Sequence, residues 1–327
     1  MYSDQKIVAI APMMDWTDRH CRYFHRQLTQ RALLYTEMVV ADAVIHGPRE
    51  RLLGFSLEEQ PVALQIGGSD PHKMAMAAKI GEDFGYREIN MNVGCPSDRV
   101  QSGAFGACLM ETPSLVAECV VAMKAAVSIP VTVKCRLGVD EQDPEPALDA
   151  IANKVFAAGA DALWVHARKA WLKGLSPKEN RDVPPLDYQR VYRLKERFPD
   201  KFIGINGGIA TLAAAREHLC IVDGVMLGRA AYHEPRLLMD VDTQFYDDKA
   251  HEADFQNVLE TMVEYADRHI ASGGKLNHIT RHMIGLFHGV PGARSWRQMM
   301  SVDAARIGAT SDLISCAFEA VHRAQTA

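Results

Sequence analysis

Apolar residues gather in short runs along the chain, and each run is followed by a longer stretch with apolar positions three and four apart. The β-type runs are Ile7–Met13, Leu33–Val40, Val62–Gly68, Glu88–Gly94, Pro130–Gly138, Ala162–Arg168, Phe202–Gly208 and Gly224–Arg229. Between them the pattern turns helical: Leu115, Cys119, Met123 and Val127 recur at helical spacing, Thr112-Pro113 reads as an N-cap with proline at the first position, and Ser69-Asp-Pro-His opens another helix. Eight such alternations over about 230 residues predict an α/β fold of the (β/α)8 TIM-barrel type and overshoot a typical doubly wound sheet. An open dinucleotide-binding sheet needs a G-x-G-x-x-G turn after its first strand, whereas this chain has Ala11-Pro-Met-Met-Asp-Trp.

The pattern changes near residue 240. Residues 235–267 hold nine Asp/Glu and two Lys/Arg, whereas residues 268–302 hold five Lys/Arg, four His and no acid. Helical spacing over Phe255–His269, Ile279–Phe287 and Asp303–Ala324, with Gly273-Gly274 and Val290-Pro-Gly-Ala between, predicts a second, all-helical domain over 241–327 behind a barrel over 1–240.

In a barrel of this kind chemistry belongs at the C-terminal ends of the strands. There the sequence puts Pro12-Met13-Met14, Gln65, Asn92 and Cys95, Lys134 and Arg136, His166 and Arg168, Asn206-Gly207-Gly208, and Gly228-Arg229. Polar residues inside otherwise apolar strands cost stability unless paired or used. Taken singly each reads as a satisfied polar residue; their coincidence on one rim points to a shared site. The two glycine turns after the last strands, each leading into a helix, suit a phosphorylated ligand. Lys134 offers a fixed positive charge and Gln65 both a donor and an acceptor for an imide edge, which fits the pyrimidine side of a flavin. His166 by itself reads as a rim histidine.

Cys95 follows a strand in which Ile89, Met91 and Val93 alternate with Asn90 and Asn92, and it opens a glycine-containing loop. As a lone thiol it is either a small buried hydrophobe or a reactive group. The run Asn92-Val-Gly-Cys-Pro, with Asp98-Arg99-Val100 and Gly106-Ala-Cys-Leu-Met110, resembles the signature loop of the tRNA-dihydrouridine synthases. The likeness extends over essentially the whole chain. It implies FMN at Pro12, Met13, Met14, Gln65, Lys134, His166, Asn206, Gly207, Gly208, Gly228 and Arg229. It further implies NADPH as reductant, hydride passing to C6 of a flipped-out uridine lined by Asn92, and Cys95 as proton donor to C5.

The stretch His166–Arg181 is similar to the A-type branch of that family, which points to the D-loop of tRNA. From His166 to Lys201 ten Lys/Arg face five Asp/Glu, with Trp171 among the cations; cations meet phosphates and an aromatic ring stacks on a base. Lys178 and Arg181, like Arg294 and Arg297, stand three apart, and the two pairs are expected to grip tRNA on either side of the flavin mouth.

Composition limits the alternatives. The chain has 327 residues, 48% hydrophobic, enough for one large domain and a small one. Its seven cysteines are never closer than eleven positions, so no metal is expected and a reducing compartment is. No secretory pattern and no run of about eighteen apolar residues occurs, which suits a cytoplasmic monomer with no membrane or DNA partner. A net charge of −5 argues globally against nucleic acid, and the basic segments reverse that locally. The rivals are a flavin barrel that reduces a small pyrimidine-like metabolite, which has no need of a basic helical tail, and a non-catalytic RNA-binding barrel, which would be colourless.

Overall fold

The computed structural model describes residues 2, 5–97, 103–248 and 254–326; Asp98, Arg99 and Val100 of the signature loop lie outside them. The expected runs form β1 (Ile7–Ile10), β2 (Leu33–Tyr35), β3 (Val39–Val40), β4 (Val62–Gly67), β5 (Glu88–Val93), β6 (Val131–Arg136), β7 (Ala162–His166), β8 (Phe202–Asn206) and β9 (Gly224–Leu227). All pairings are parallel, and β2 pairs with both β1 and β4, so eight strands close into a barrel in which β3 continues β2 along β4. The run Leu33–Val40 is thus split into two strands. The helix expected at Ser69-Asp-Pro-His starts there, with Asp70 capping Pro71–Asp83 through Lys73 N–H; in the same way Asp143 caps Pro144–Ala157 through Glu145 N–H. The helix Pro113–Ala126 does begin at proline, but Thr112 makes no side-chain cap.

Closing eight strands leaves an interior that side chains must fill. One end is apolar. Trp164, fully buried, packs with Phe202, Tyr35, Ala9, Ala63 and Met226, and Tyr2 packs against the same cluster. The Trp164 ring fits because its neighbours on β8 and β9 are glycines: a Cβ on Gly204 would overlap the ring, and one on Gly224 would lie 2.6 Å from it.

The chain divides into two compact units, one of residues 1–14, 33–209 and 213–228, the other of 15–32, 210–212 and 229–327. The division expected near 240 therefore falls at 228, and the helix Arg19–Leu28 joins the helical unit. Within that unit the reason is polar pairing. Asp18 caps Arg19–Leu28 through the N–H groups of His20 and Cys21 and also pairs with Arg281 at 2.5 Å and His282 at 3.0 Å. Beyond the helix, buried Asp242 accepts from Thr29 Oγ1 and the N–H groups of Gln30 and Arg31. Tyr23 stacks on Tyr265 at 3.9 Å.

The later helices depart from their expected bounds. Phe255–Ala271 is two residues longer; Ile279–Phe287 is a helix only over Asn277–Thr280 and then a series of turns; Asp303–Ala324 becomes a short 3-10 turn and the helix Asp312–Thr326. Gly285 explains the first interruption, since its Cα faces the His233 carbonyl so closely that no Cβ fits. Gly308, at φ 82°, marks the second.

Gly204→Ala should destabilise the protein by about 1–3 kcal/mol, the usual cost of overpacking, because the Trp164 ring has nowhere to retreat. Urea unfolding checks this, and a change under about 0.5 kcal/mol, the range of an ordinary surface substitution, would mean that the barrel floor is looser than its glycines suggest.

Candidate active site

In β5, Glu88, Asn90 and Asn92 alternate with Ile89, Met91 and Val93, and in β6, Thr132, Lys134 and Arg136 alternate with Val131, Val133 and Cys135. Period two sends each polar set to one face, and these two sets meet: Asn90 registers with Thr132, and Asn92 with Lys134. Across the barrel, Gln65 of β4 registers with Asn90, His166 of β7 with Arg136 and Asn206, and Asn206 of β8 with Met226. Because every strand is parallel, the rim residues of the barrel unit named from sequence come to the same end. Pro12, Met13 and Met14 follow β1, Cys95 lies two residues past β5, and Gly228 directly follows β9.

Buried Asn92 shapes the cysteine turn. Its Oδ1 accepts from the N–H groups of Gly94 at 3.1 Å and Cys95 at 3.0 Å, and its Nδ2 donates to Gln65 Oε1 at 2.8 Å. Cys95 remains half-buried, with its thiol 3.6 Å from Ser97 Oγ and its carbonyl accepting from Ala107 N–H at 2.9 Å. Cys108 is the contrast: its thiol donates to the Phe105 carbonyl at 3.1 Å, and burial raises its pKa.

Lys134 donates to Asn206 Oδ1 at 3.1 Å, and Asn206 Nδ2 donates to the Met226 carbonyl at 2.7 Å. Burial, reinforced by the nearby Arg136 guanidinium, lowers the Lys134 pKa to about 8. Burial also holds His166 well below its ordinary value, with Arg136 and Lys134 adding to the effect, so the ring is neutral at pH 7. Among the described residues the His166 ring has no hydrogen-bond partner.

Arg136 is the residue whose role sequence reasoning missed. It stood among the rim residues without a task. Its side chain is buried and donates to the carbonyls of Gly94 at 3.0 Å, Lys169 at 3.1 Å and Asn180 at 2.8 Å, so one guanidinium ties the cysteine turn to the basic loop. Asn180 completes the tie: its Oδ1 accepts from Trp171 N–H, and its Nδ2 donates to the carbonyls of Trp171 and Leu175. Trp171 is thereby held beside Lys169, while Lys178 and Arg181 flank buried Asn180 and are exposed. The alternation Thr132, Lys134, Arg136 marks its inward face, though not its partners.

A flavin phosphate and ring fit these groups. Gly207 and Gly208 take φ of 116° and 68°, which glycine adopts without strain, and a Cβ on Gly228 would meet nothing closer than Ala11 Cβ and Met13 Sδ at 4.0 Å. A ligand can therefore approach the backbone at Gly228, whereas a Cβ on Gly207 or Gly208 would run into His166, Leu186 or Tyr188. Lys134 retains two N–H groups and Gln65 one. Arg229 begins the helix Arg229–His233 of the other unit. In that unit Arg294 and Arg297 lie exposed on Ala293–Ser301, flanking buried Trp296.

Fold and rim together define the class: a (β/α)8-barrel enzyme with its polar groups at the C-terminal strand ends. The family model described as "Dihydrouridine synthase (Dus)" matches residues 9–324. The chain is 55% identical over 302 residues to a protein of Yersinia pestis, covering 92% of this chain and 87% of that one. It is 54% identical over 313 residues to one of Shewanella oneidensis (96% and 93%) and 54% over 314 residues to one of Escherichia coli K12 (96% and 91%); all three are named tRNA-dihydrouridine(20/20a) synthase. This chain belongs to the dihydrouridine synthase family, a family of oxidoreductases. Among the described residues no group of side chains is arranged to hold a metal ion, and no helix is long and apolar enough to cross a membrane.

The Lys134 assignment has a measurable consequence. Its folded pKa of about 8 lies below the ordinary 10.5, so in that window the unfolded chain holds a proton the folded one has lost, and stability rises with pH. The pH–stability curves of ligand-free wild type and Lys134→Met should diverge between those limits by something on the order of 1–3 kcal/mol. Parallel curves would mean that Lys134 titrates normally.

Proposed function

We propose that this protein reduces the 5,6 double bond of uridine in the D-loop of tRNA, giving dihydrouridine. The observation that carries this reading is Cys95, its backbone fixed by Asn92 and its thiol left half-buried at the rim within the field of Lys134 and Arg136. FMN, with NADPH as reductant, would supply hydride chemistry when bound. Gly207, Gly208 and Gly228, with Arg229 next in the chain, would hold its phosphate; Lys134 would set a positive charge, and Gln65 a donor, against its ring; His166 and Pro12 to Met14 would complete the surround. Asn92 lines the uridine pocket. The Cys95 thiol gives its proton to C5, and the thiolate left behind regains one from solvent, so each turnover consumes one NADPH and one proton.

The names of the relatives support tRNA as substrate, and the (20/20a) in those names suits the D-loop. The basic loop carrying Trp171, Lys178 and Arg181, and the helix carrying Arg294 and Arg297, are where this chain meets RNA phosphates and bases. We assign it to the cytoplasm as a monomer. Reduction of a free pyrimidine metabolite is the weaker alternative, since it leaves those exposed cations without a task.

Cys95→Ala should keep bound flavin, visible by its absorption near 370 and 450 nm, and its reduction by NADPH, while dihydrouridine formation falls by about 10²-fold or more; Cys108→Ala should stay active. Dihydrouridine made by Cys95→Ala at the wild-type rate would assign the proton to another group. Replacing Arg294 and Arg297 together by Ala should weaken tRNA binding and flatten its log–log salt dependence by about 0.7–0.9 for each phosphate no longer neutralised. An unchanged slope would count for the metabolite reductase.

A further inference from the structure

One set of hydrogen bonds runs the depth of the barrel in a single direction. The Gly94 and Cys95 N–H groups donate to Asn92 Oδ1; Asn92 Nδ2 donates to Gln65 Oε1 at 2.8 Å; Gln65 Nε2 donates to Asn90 Oδ1 at 2.7 Å. Asn90 Nδ2 then donates to Thr132 Oγ1 at 2.8 Å, and Thr132 donates to the Glu88 carboxylate, which also accepts from Tyr35 at 2.6 Å and from Tyr2. Asn90, Thr132 and Glu88 are fully buried.

The direction is determined at the head of the chain. Backbone N–H groups only donate, so Asn92 must turn its oxygen to the cysteine turn and its nitrogen to Gln65. Each amide in turn then offers its nitrogen to the next acceptor, so Thr132 receives from Asn90 and turns its own proton to Glu88. The amides between have no freedom to flip without breaking two bonds each. Burial raises the Glu88 pKa, while the hydrogen bonds from Thr132, Tyr2 and Tyr35 work against that rise.

We propose that Glu88, Thr132 and Asn90 are positioning residues for the reaction: their one-way chain dictates which edge Gln65 shows a ligand and holds the cysteine turn in register. With one N–H given to Asn90 and Oε1 already accepting from Asn92, Gln65 shows a ligand its remaining N–H and the second lone pair of Oε1 in one fixed orientation. Hydrogen bonds in such a chain polarise one another, so a cut at its foot weakens the bonds at its head. This deepens the reading of Gln65 and Cys95 as ring contact and proton donor, and rests on it.

Thr132 separates the chain from packing. Thr132→Val keeps the shape and removes the hydroxyl, whereas Thr132→Ser keeps the hydroxyl and removes a methyl. In full-length protein as purified, amide hydrogen exchange at Gly94 and Cys95 should speed up about tenfold in Thr132→Val, the equivalent of one buried hydrogen bond. It should stay at the wild-type rate in Thr132→Ser, with Val165 of β7 unchanged in both. Glu88→Gln, which sets an NH2 against one of the three hydroxyls, should accelerate the same two amides and serves if Thr132→Val does not fold. FMN titrated into stripped protein should bind more weakly to Thr132→Val than to Thr132→Ser. Equal acceleration in Val and Ser variants, or none in Val and Gln, overturns the proposal. Failure of the flavin reading would look different: no FMN binding by any form, with the exchange pattern intact.

Discussion

A closed barrel admits no water to its middle without a cost, so a polar atom on an inward-facing position is costly unless it finds a partner across the strands. That requirement shapes this molecule from one end of the barrel to the other. The floor answers it by exclusion: Trp164 and its apolar neighbours fill the space, and the glycines at 204 and 224 yield the room the indole takes. Beside that cluster Glu88, in register with Ala63, cannot be excluded and is instead surrounded by hydroxyls, and the amides of Asn90, Gln65 and Asn92 pass its demand upward until it reaches the turn that carries Cys95. The rim is thus held by satisfaction of buried groups lying well below it.

The eight barrel strands were legible because their signal is local. Short apolar runs, bounded by glycine, proline or acid, say where a strand is whatever it pairs with, and parallel closure follows from their number and from the helices between. The tail was less legible because its breaks are set by contacts distant in sequence. Ile279, Met283, Leu286 and Phe287 are all buried at helical spacing, yet the segment turns instead of coiling because Gly285 seats on the carbonyl of His233, an approach that periodicity does not register.

The helix Arg19–Leu28 teaches the same point about units. Read alone, it is a polar helix following the first strand, indistinguishable from the other crossover helices. What assigns it to the helical unit is Asp18, whose carboxylate caps it and pairs with Arg281 and His282. Burial pushes the Asp18 pKa up, but the hydrogen bond and charge of His282 outweigh that and hold it well below the usual carboxylate range. Ion pairs between residues 263 apart leave no trace in composition. In the site, likewise, candidate side chains were visible as polar residues in apolar strands, whereas the work of Arg136 was not, since all three of its acceptors are backbone carbonyls and a carbonyl is present at every residue.

Asp18 also refines the charge argument. Residues 268–302 contain no acid, and the sequence alone leaves open whether their cations are neutralised from elsewhere. One of them is: Arg281 is paired with Asp18 and half-exposed. Arg294 and Arg297 sit on the outer face of a helix anchored through Trp296, whose Nε1 donates to the Met283 carbonyl, and among the described residues neither has an acidic partner. Burying the tryptophan fixes the helix's rotation, and the spacing of three then sends both guanidinium groups outward together. A protein with a net charge of −5 can in this way present a locally cationic face, because surface charges more than about 10 Å apart are largely screened in salt.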